Sequence, residues 1–171
     1  MSYGPLPKRV DPRKLAEREA QLQGFVELKS MPQLLSLLVD DEGEVSVELE
    51  FALDQQKLRT VKGHATAKVK QQCQRCLEPV EVELEAEFSL AVVLNEEQAK
   101  NLPRYYDPLL VEEDVVLADL VEEELILSLP AVAYHQDCDV QLSYGEGDAQ
   151  PSEQDEKPNP FSVLASLKQK R

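Results

Sequence analysis

The chain has 171 residues, the length of one domain, and carries 33 acids against 18 bases for a net charge of −15. So acidic a surface repels phosphate and argues against a protein that coats nucleic acid, and with no Trp, four Phe and five Tyr it offers little for a base-stacking platform. Three cysteines are too few for a secreted disulfide scaffold, no apolar run reaches the roughly 18 residues of a membrane span, and the start (MSYGPLPKRVDPRK) lacks the apolar core of a signal peptide, so a cytoplasmic chain is expected.

In chain order, Asp11-Pro12 reads as a helix start, a capping carboxylate followed by Pro where its missing N–H is harmless. Leu15, Arg18, Glu19 and Leu22 continue that helix and Gly24 is expected to stop it. Residues 25–29 form a short strand. A second helix runs from Ser30-Met31-Pro32 through Leu34, Leu35, Leu37 and Leu38 to the acidic turn at Asp40–Gly43. Over residues 44–53, Val45, Val47, Leu49, Phe51 and Leu53 alternate with Glu44, Ser46, Glu48 and Glu50, the period-two signature of a half-buried strand. After a turn at residues 54–56, residues 58–72 alternate less cleanly, with Gly63 suggesting a bulge. Residues 80–92 form a long strand with Glu81, Glu83, Glu85 and Glu87 on one side. A short helix is expected over 95–101, a loop over 103–108, and a core helix capped by Asp119 and stopped by Pro130.

The domain reading is an α+β domain over residues 1–142, a disordered acidic linker over 143–157 and a C-terminal docking helix over 158–171. The fold is an antiparallel sheet, open or barrel-like, flanked by helices. The linker has almost no apolar content. The last segment repeats the cap-plus-Pro start at Asn159-Pro160 and carries the apolar side chains Phe161, Leu164 and Leu167 before Lys168. A helix-sized stripe on a tether suits docking, on a partner or on the chain itself.

Charge is unevenly placed. Residues 31–56 hold seven acids and no base, and residues 77–130 hold fifteen acids and two bases. Between them, residues 57–76 hold Lys57, Arg59, Lys62, Lys68, Lys70 and Arg75 and no acid. One reading pairs these cations with the Glu residues of neighbouring strands. The other makes the strip, together with the 159–168 segment, a contact for RNA phosphate or a partner. The Glu-rich faces offer a further use, cradling a basic protein.

Cys73-Gln74-Arg75-Cys76 and His135-Gln136-Asp137-Cys138 together supply three thiols and one imidazole, a permitted tetrahedral zinc set. Residues three apart on a flat strand point to opposite faces, so the two thiols of the first pair converge only if the chain turns there. The alternatives are small reduced cysteines beside a surface histidine, or a redox pair. His64 reads as an isolated exposed side chain. No HExxH, Gly-rich phosphate loop or GxSxG occurs, so no catalytic residue and no small-molecule substrate is assigned.

Cys-Gln-Arg-Cys-Leu-Glu-Pro (73–79), the acidic helix 119–130 with His135 and Cys138 behind it, and Asn-Pro-Phe-Ser-Val-Leu-Ala-Ser-Leu-Lys (159–168) occur in the order found in the YceD-like large ribosomal RNA subunit accumulation family, which the chain resembles along nearly its whole length. The segment Gly4–Leu15 is similar to the family's proteobacterial members. The resemblance implies a bacterial, non-enzymatic ribosome biogenesis factor needed for 23S rRNA accumulation, with the 23S precursor or large-subunit ribosomal proteins as partners, and it strengthens the case for zinc. The alternative is a chaperone-like binder of a basic ribosomal protein that makes no RNA contact.

Overall fold

The computed structural model describes residues 4–140. The expected linker over 143–157 and docking helix over 158–171, with Asn159, Pro160, Phe161, Leu164, Leu167 and Lys168, lie outside the described residues.

The elements in chain order are β1 (Arg9–Val10), α1 (Pro12–Glu17), β2 (Gln21–Glu27), a 3-10 turn (Leu28–Ser30), α2 (Pro32–Leu35), β3 (Glu44–Leu53), β4 (Arg59–Gln72), β5 (Pro79–Val93), α3 (Glu96–Lys100), β6 (Asp107–Leu110), β7 (Val115–Val116) and α4 (Leu117–Ser128). Five strands form one open sheet in the order β2-β3-β4-β5-β6, and β1 and β7 form a separate two-stranded ladder. The sheet is antiparallel except at its β5–β6 end. The α+β class holds, and the sheet stays open.

The strands lie where the alternation put them. In β3, Val45, Val47, Leu49 and Phe51 are buried and Glu44, Glu48 and Glu50 are exposed. In β5, Val80, Leu84, Ala86, Phe88 and Leu90 are buried against exposed Glu81, Glu83, Glu85 and Glu87. The buried sides meet Leu28, Met31, Leu34, Leu117 and Leu125 from the helical elements in one core. Each such side chain stabilises the fold by about 1.5–3 kcal/mol relative to exposure. One sheet face is thus covered by helices, and the other is open and rich in Glu.

Several expectations fail locally, each for a physical reason. The first helix ends at Glu17, and Gly24 lies inside β2 rather than stopping a helix. The N-terminal segment runs beside β2, where Phe25 N–H donates to the Gly4 carbonyl and Leu6 N–H to the Phe25 carbonyl, both at 3.0 Å. A Cβ at Gly24 would collide with the Gly4 carbonyl, so the glycine permits a close backbone approach. Gly63 is no bulge, because pairing on both sides of β4 continues through it. Its missing side chain makes room for the Phe88 ring lying across from it.

The second helix is one turn long. Its backbone is held from a distance: the Leu34 N–H donates to Glu122 Oε1 at 2.8 Å, and Glu122 is buried. The buried carboxylate of α4 therefore serves as a tertiary cap for α2. Asp119 does not cap α4 either. The helix starts at Leu117 after Val116, and Asp119 lies in its first turn. The loop expected over 103–108 leads into β6, which adds in parallel to the end of β5.

Candidate metal centre

The β4–β5 hairpin turns at residues 73–78. Cys73 N–H donates to the Glu78 carbonyl and Leu77 N–H to the Cys73 carbonyl, both at 2.9 Å, and Leu77 takes φ 65°. This is the turn that the Cys-x-x-Cys pair required. It breaks strand alternation and swings both thiols to one side. The segment after α4 folds against it, with Gln74 N–H donating to the Ala133 carbonyl at 2.9 Å. Cys73, Val80 and Ala133 form a small buried cluster apart from the main core, with Cys76 and Cys138 packed on it.

Four ligand atoms, from Cys73, Cys76, His135 and Cys138, all lie within 4.8 Å of one another. The Cys73 and Cys138 sulfurs are 3.7 Å apart, and Cys76 Sγ is 3.4 Å from His135 Nδ1. Ligands at 2.3 Å (S) and 2.0–2.1 Å (N) around a tetrahedral ion would stand about 3.8 Å (S to S) and about 3.5 Å (S to N) apart. Those two distances match, and the cysteines are free thiols.

The surroundings match the donors. His135 Nε2 lies 3.1 Å from the Pro79 carbonyl, which can only accept, so Nε2 carries the proton and Nδ1 presents its lone pair to the cluster. Cys73 Sγ accepts from the backbone N–H of Arg75 at 3.5 Å and of His135 at 3.4 Å. Burial opposes ionisation of Cys73, yet these donors, with that of Cys76, bring its pKa from 9.0 down to about 5. Burial and the adjoining thiols push Cys138 up to about 11. One thiolate is thus already stabilised, and Cys138 ionises with difficulty unless a cation enters. Arg75 closes the loop by donating from Nη1 to the Cys138 carbonyl at 3.0 Å, with its guanidinium 5.5 Å from the centre of the Tyr134 ring. These four residues could hold a metal ion.

The basic strip is dispersed. Arg59 lies on the helix side and pairs with Glu17 of α1 at 2.8 Å. Lys68 pairs across the strands with Glu83 at 2.9 Å, and Lys70 with Asp40 at 2.8 Å. Those partners raise both lysine pKa values. Among the described residues Lys57 and Lys62 make no ion pair; Lys57 sits in the β3–β4 turn with φ 61°. On the open face Lys62, Lys68 and Lys70 of β4 are flanked by Glu44, Glu48 and Glu50 of β3 and by Glu81, Glu83, Glu85 and Glu87 of β5.

His64 is not isolated. Its Nε2 meets Glu85 Oε1 at 3.0 Å, and Glu87 lies directly opposite in register. His64 and Glu87 border an open groove of about 690 Å³ lined also by Glu48, Glu50, Lys62 and Tyr105. The sequence contained a signal for this contact: His64 and the Glu residues of β5 fall on the same face once the hairpin turn fixes the register.

These features describe an open-sheet α+β protein with a Cys3His ligand cluster at a hairpin end and an acidic sheet face. Among the described residues no helix is long and apolar enough to cross a membrane. The family model for the large ribosomal RNA subunit accumulation protein YceD matches residues 61–168. The chain is also 40% identical over 169 residues to the large ribosomal RNA subunit accumulation protein YceD of Haemophilus influenzae (strain ATCC 51907 / DSM 11121 / KW20 / Rd), covering 96% of this chain and 97% of that protein. No solved structure matches the chain. The chain belongs to the YceD family of large ribosomal RNA subunit accumulation proteins.

Proposed function

We propose that the chain is a non-catalytic, cytoplasmic factor for accumulation of the 23S rRNA and assembly of the large ribosomal subunit, and that it works by holding a basic large-subunit ribosomal protein on its open sheet face. Family membership supports the process. The observation that carries the mode of action is the composition of that face: seven Glu side chains on β3 and β5 flank three Lys on β4, and two of those lysines already have acidic partners within the chain. Such a face attracts a polycation and repels RNA phosphate. With Arg59 paired and Arg75 turned into the Cys-rich loop, the separated Lys57 and Lys62 make a poor track for an RNA backbone.

The Cys3His cluster is assigned to zinc. Its spacing suits a tetrahedral ion, and four protein ligands leave no open position for a reacting water, so its role is to hold the hairpin turn and residues 131–138 together. The carboxylates of the open face alternate along solvated strands instead of lining a dry cleft, which gives hydrolysis no support.

The test is binding of the full chain to purified large-subunit ribosomal proteins and, separately, to protein-free 23S rRNA fragments, over a salt series. The expected result is salt-sensitive binding to a basic ribosomal protein, lost when Glu48 and Glu50 are both changed to Lys. Binding to the RNA fragments alone, abolished by Lys57→Glu with Lys62→Glu, would overturn the reading.

A further inference from the structure

Among the described residues β5 is hydrogen-bonded along one edge and largely bare along the other. It pairs with β4 from Pro79 to Ala91, but β6 joins it only from Leu90 to Val93. Two contacts fix which main-chain groups face that outer edge. The Val93 carbonyl accepts from Val111 N–H at 2.9 Å, and the Pro79 carbonyl from His135 Nε2 at 3.1 Å. Main-chain groups of alternate residues point to the same side of a strand, so the odd-numbered residues between these ends point outward. At Glu81, Glu83, Glu85 and Glu87 both N–H and C=O face no paired strand among the described residues, whereas the parallel Leu90–Asp107 pair engages the Ser89 carbonyl. The stretch is closed at one end by β6 and at the other by the Cys-rich loop, a slot for about nine extended residues.

The same odd-numbered residues put their carboxylates on the open face. On the inner side, β4 sets Lys70 opposite Glu81, Lys68 opposite Glu83 and His64 opposite Glu87. On the outer side no cation pairs with them among the described residues. A bare edge is a template for another strand, and inward-facing acids select which strand is accepted.

We propose that the β5 edge receives an extended basic segment as a sixth strand, with Lys or Arg at alternate positions beside Glu81–Glu87. This rests on the reading that the open face holds a basic protein, and it specifies how: main-chain pairing supplies alignment, and the alternating charges supply selection. A second copy of the chain would set Glu against Glu along the edge, and an RNA strand lacks the backbone amides that the edge demands.

The experiment uses the full chain and three nine-residue peptides: one alternating Lys and Thr, one identical but N-methylated at the residues that pair with β5, and one of equal composition with its lysines grouped. The expected result is that the alternating peptide binds at least ~10-fold more tightly than the other two and slows amide exchange at Glu81, Glu83, Glu85 and Glu87. A Glu85→Pro variant removes one outward N–H and leaves the β4 ladder intact, so it should weaken the alternating peptide while far-ultraviolet circular dichroism stays unchanged. If all three peptides bind equally and no β5 amide is protected, the edge is not the site, although the face still takes cations. If no peptide binds, both readings fail. Protection of the same amides without peptide, growing with protein concentration, would assign the edge to a second copy and overturn the proposal.

Discussion

Among the described residues two groups of side chains have ligand chemistry, and they differ in almost every property that governs metal binding. Cys73, Cys76, His135 and Cys138 surround one point at a hairpin end; His64, Glu85 and Glu87 lie side by side on an open strand pair. The first group has soft sulfur donors, backbone N–H groups aimed at Cys73 Sγ, and an imidazole whose tautomer is set by the Pro79 carbonyl. The second has exposed carboxylates on flexible stems, one already engaged by the histidine. Proximity of donors is common to both. Pre-organisation belongs to the first alone, and it is pre-organisation that separates a binding site from a crowded surface.

The largest expected effect divides the two groups. Protein purified with zinc should carry about one equivalent, and Cys76→Ala should reduce that below a tenth, whereas His64→Ala leaves it unchanged; elemental analysis decides the matter. Because Cys73, Val80 and Ala133 form a cluster separate from the main core, metal loss should free the Gln74 amide to exchange and leave the β3–β4 amides protected. Loss of protection throughout the sheet would mean that the two clusters are one cooperative unit.

How much of this the amino-acid order announced follows the range of the interactions. The long strands β3 and β5 were legible because strict alternation is a local property. The ligand set was legible as residue types with spacing, but its convergence depends on a turn with Leu77 at positive φ and on a loop sixty residues away. The errors gather where a distant partner decides the outcome. Gly24 looked like a helix stop, yet its reason is the Gly4 carbonyl passing close by. Glu122 has no local feature that marks it out, and it reaches a backbone amide 88 residues away in sequence. The Lys57–Arg75 strip is continuous in the sequence, but strand parity divides it, and Arg59 falls on the opposite face from Lys62 and Lys68.

A second expected effect sharpens the contrast through pH. In metal-free protein the Cys73 pKa falls from 9.0 to about 5, so the folded state binds this proton more weakly than the unfolded state does. Its contribution to stability is complete above pH 9 and is lost as pH falls towards 5. Thiolate absorbance near 240 nm should show one cysteine ionising around pH 5 and one still protonated above pH 10, as burial and its neighbours dictate for Cys138. Three coincident titrations near the ordinary thiol range would show that the N–H donors are not aimed as described. His64→Ala should leave the curve unmoved.

The smallest effects come from two cations of the same strip. Arg75 and Lys68 looked alike in the sequence, but Arg75 spans two segments through the Cys138 carbonyl and the Tyr134 ring, whereas Lys68 pairs with the exposed Glu83. Arg75→Ala should weaken zinc retention about 10-fold in a chelator competition, since it releases the loop carrying two ligands and leaves the ligands themselves in place. Arg75→Lys should not restore retention, because an ammonium cannot both reach the carbonyl and lie flat on the ring. Lys68→Met should change neither zinc retention nor the melting temperature measurably, since an exposed pair in water is too weakly coupled to matter. If Lys68→Met loosens the metal as much as Arg75→Ala does, the strip acts as one electrostatic unit, and the division drawn here between a clamp and a solvated pair is wrong.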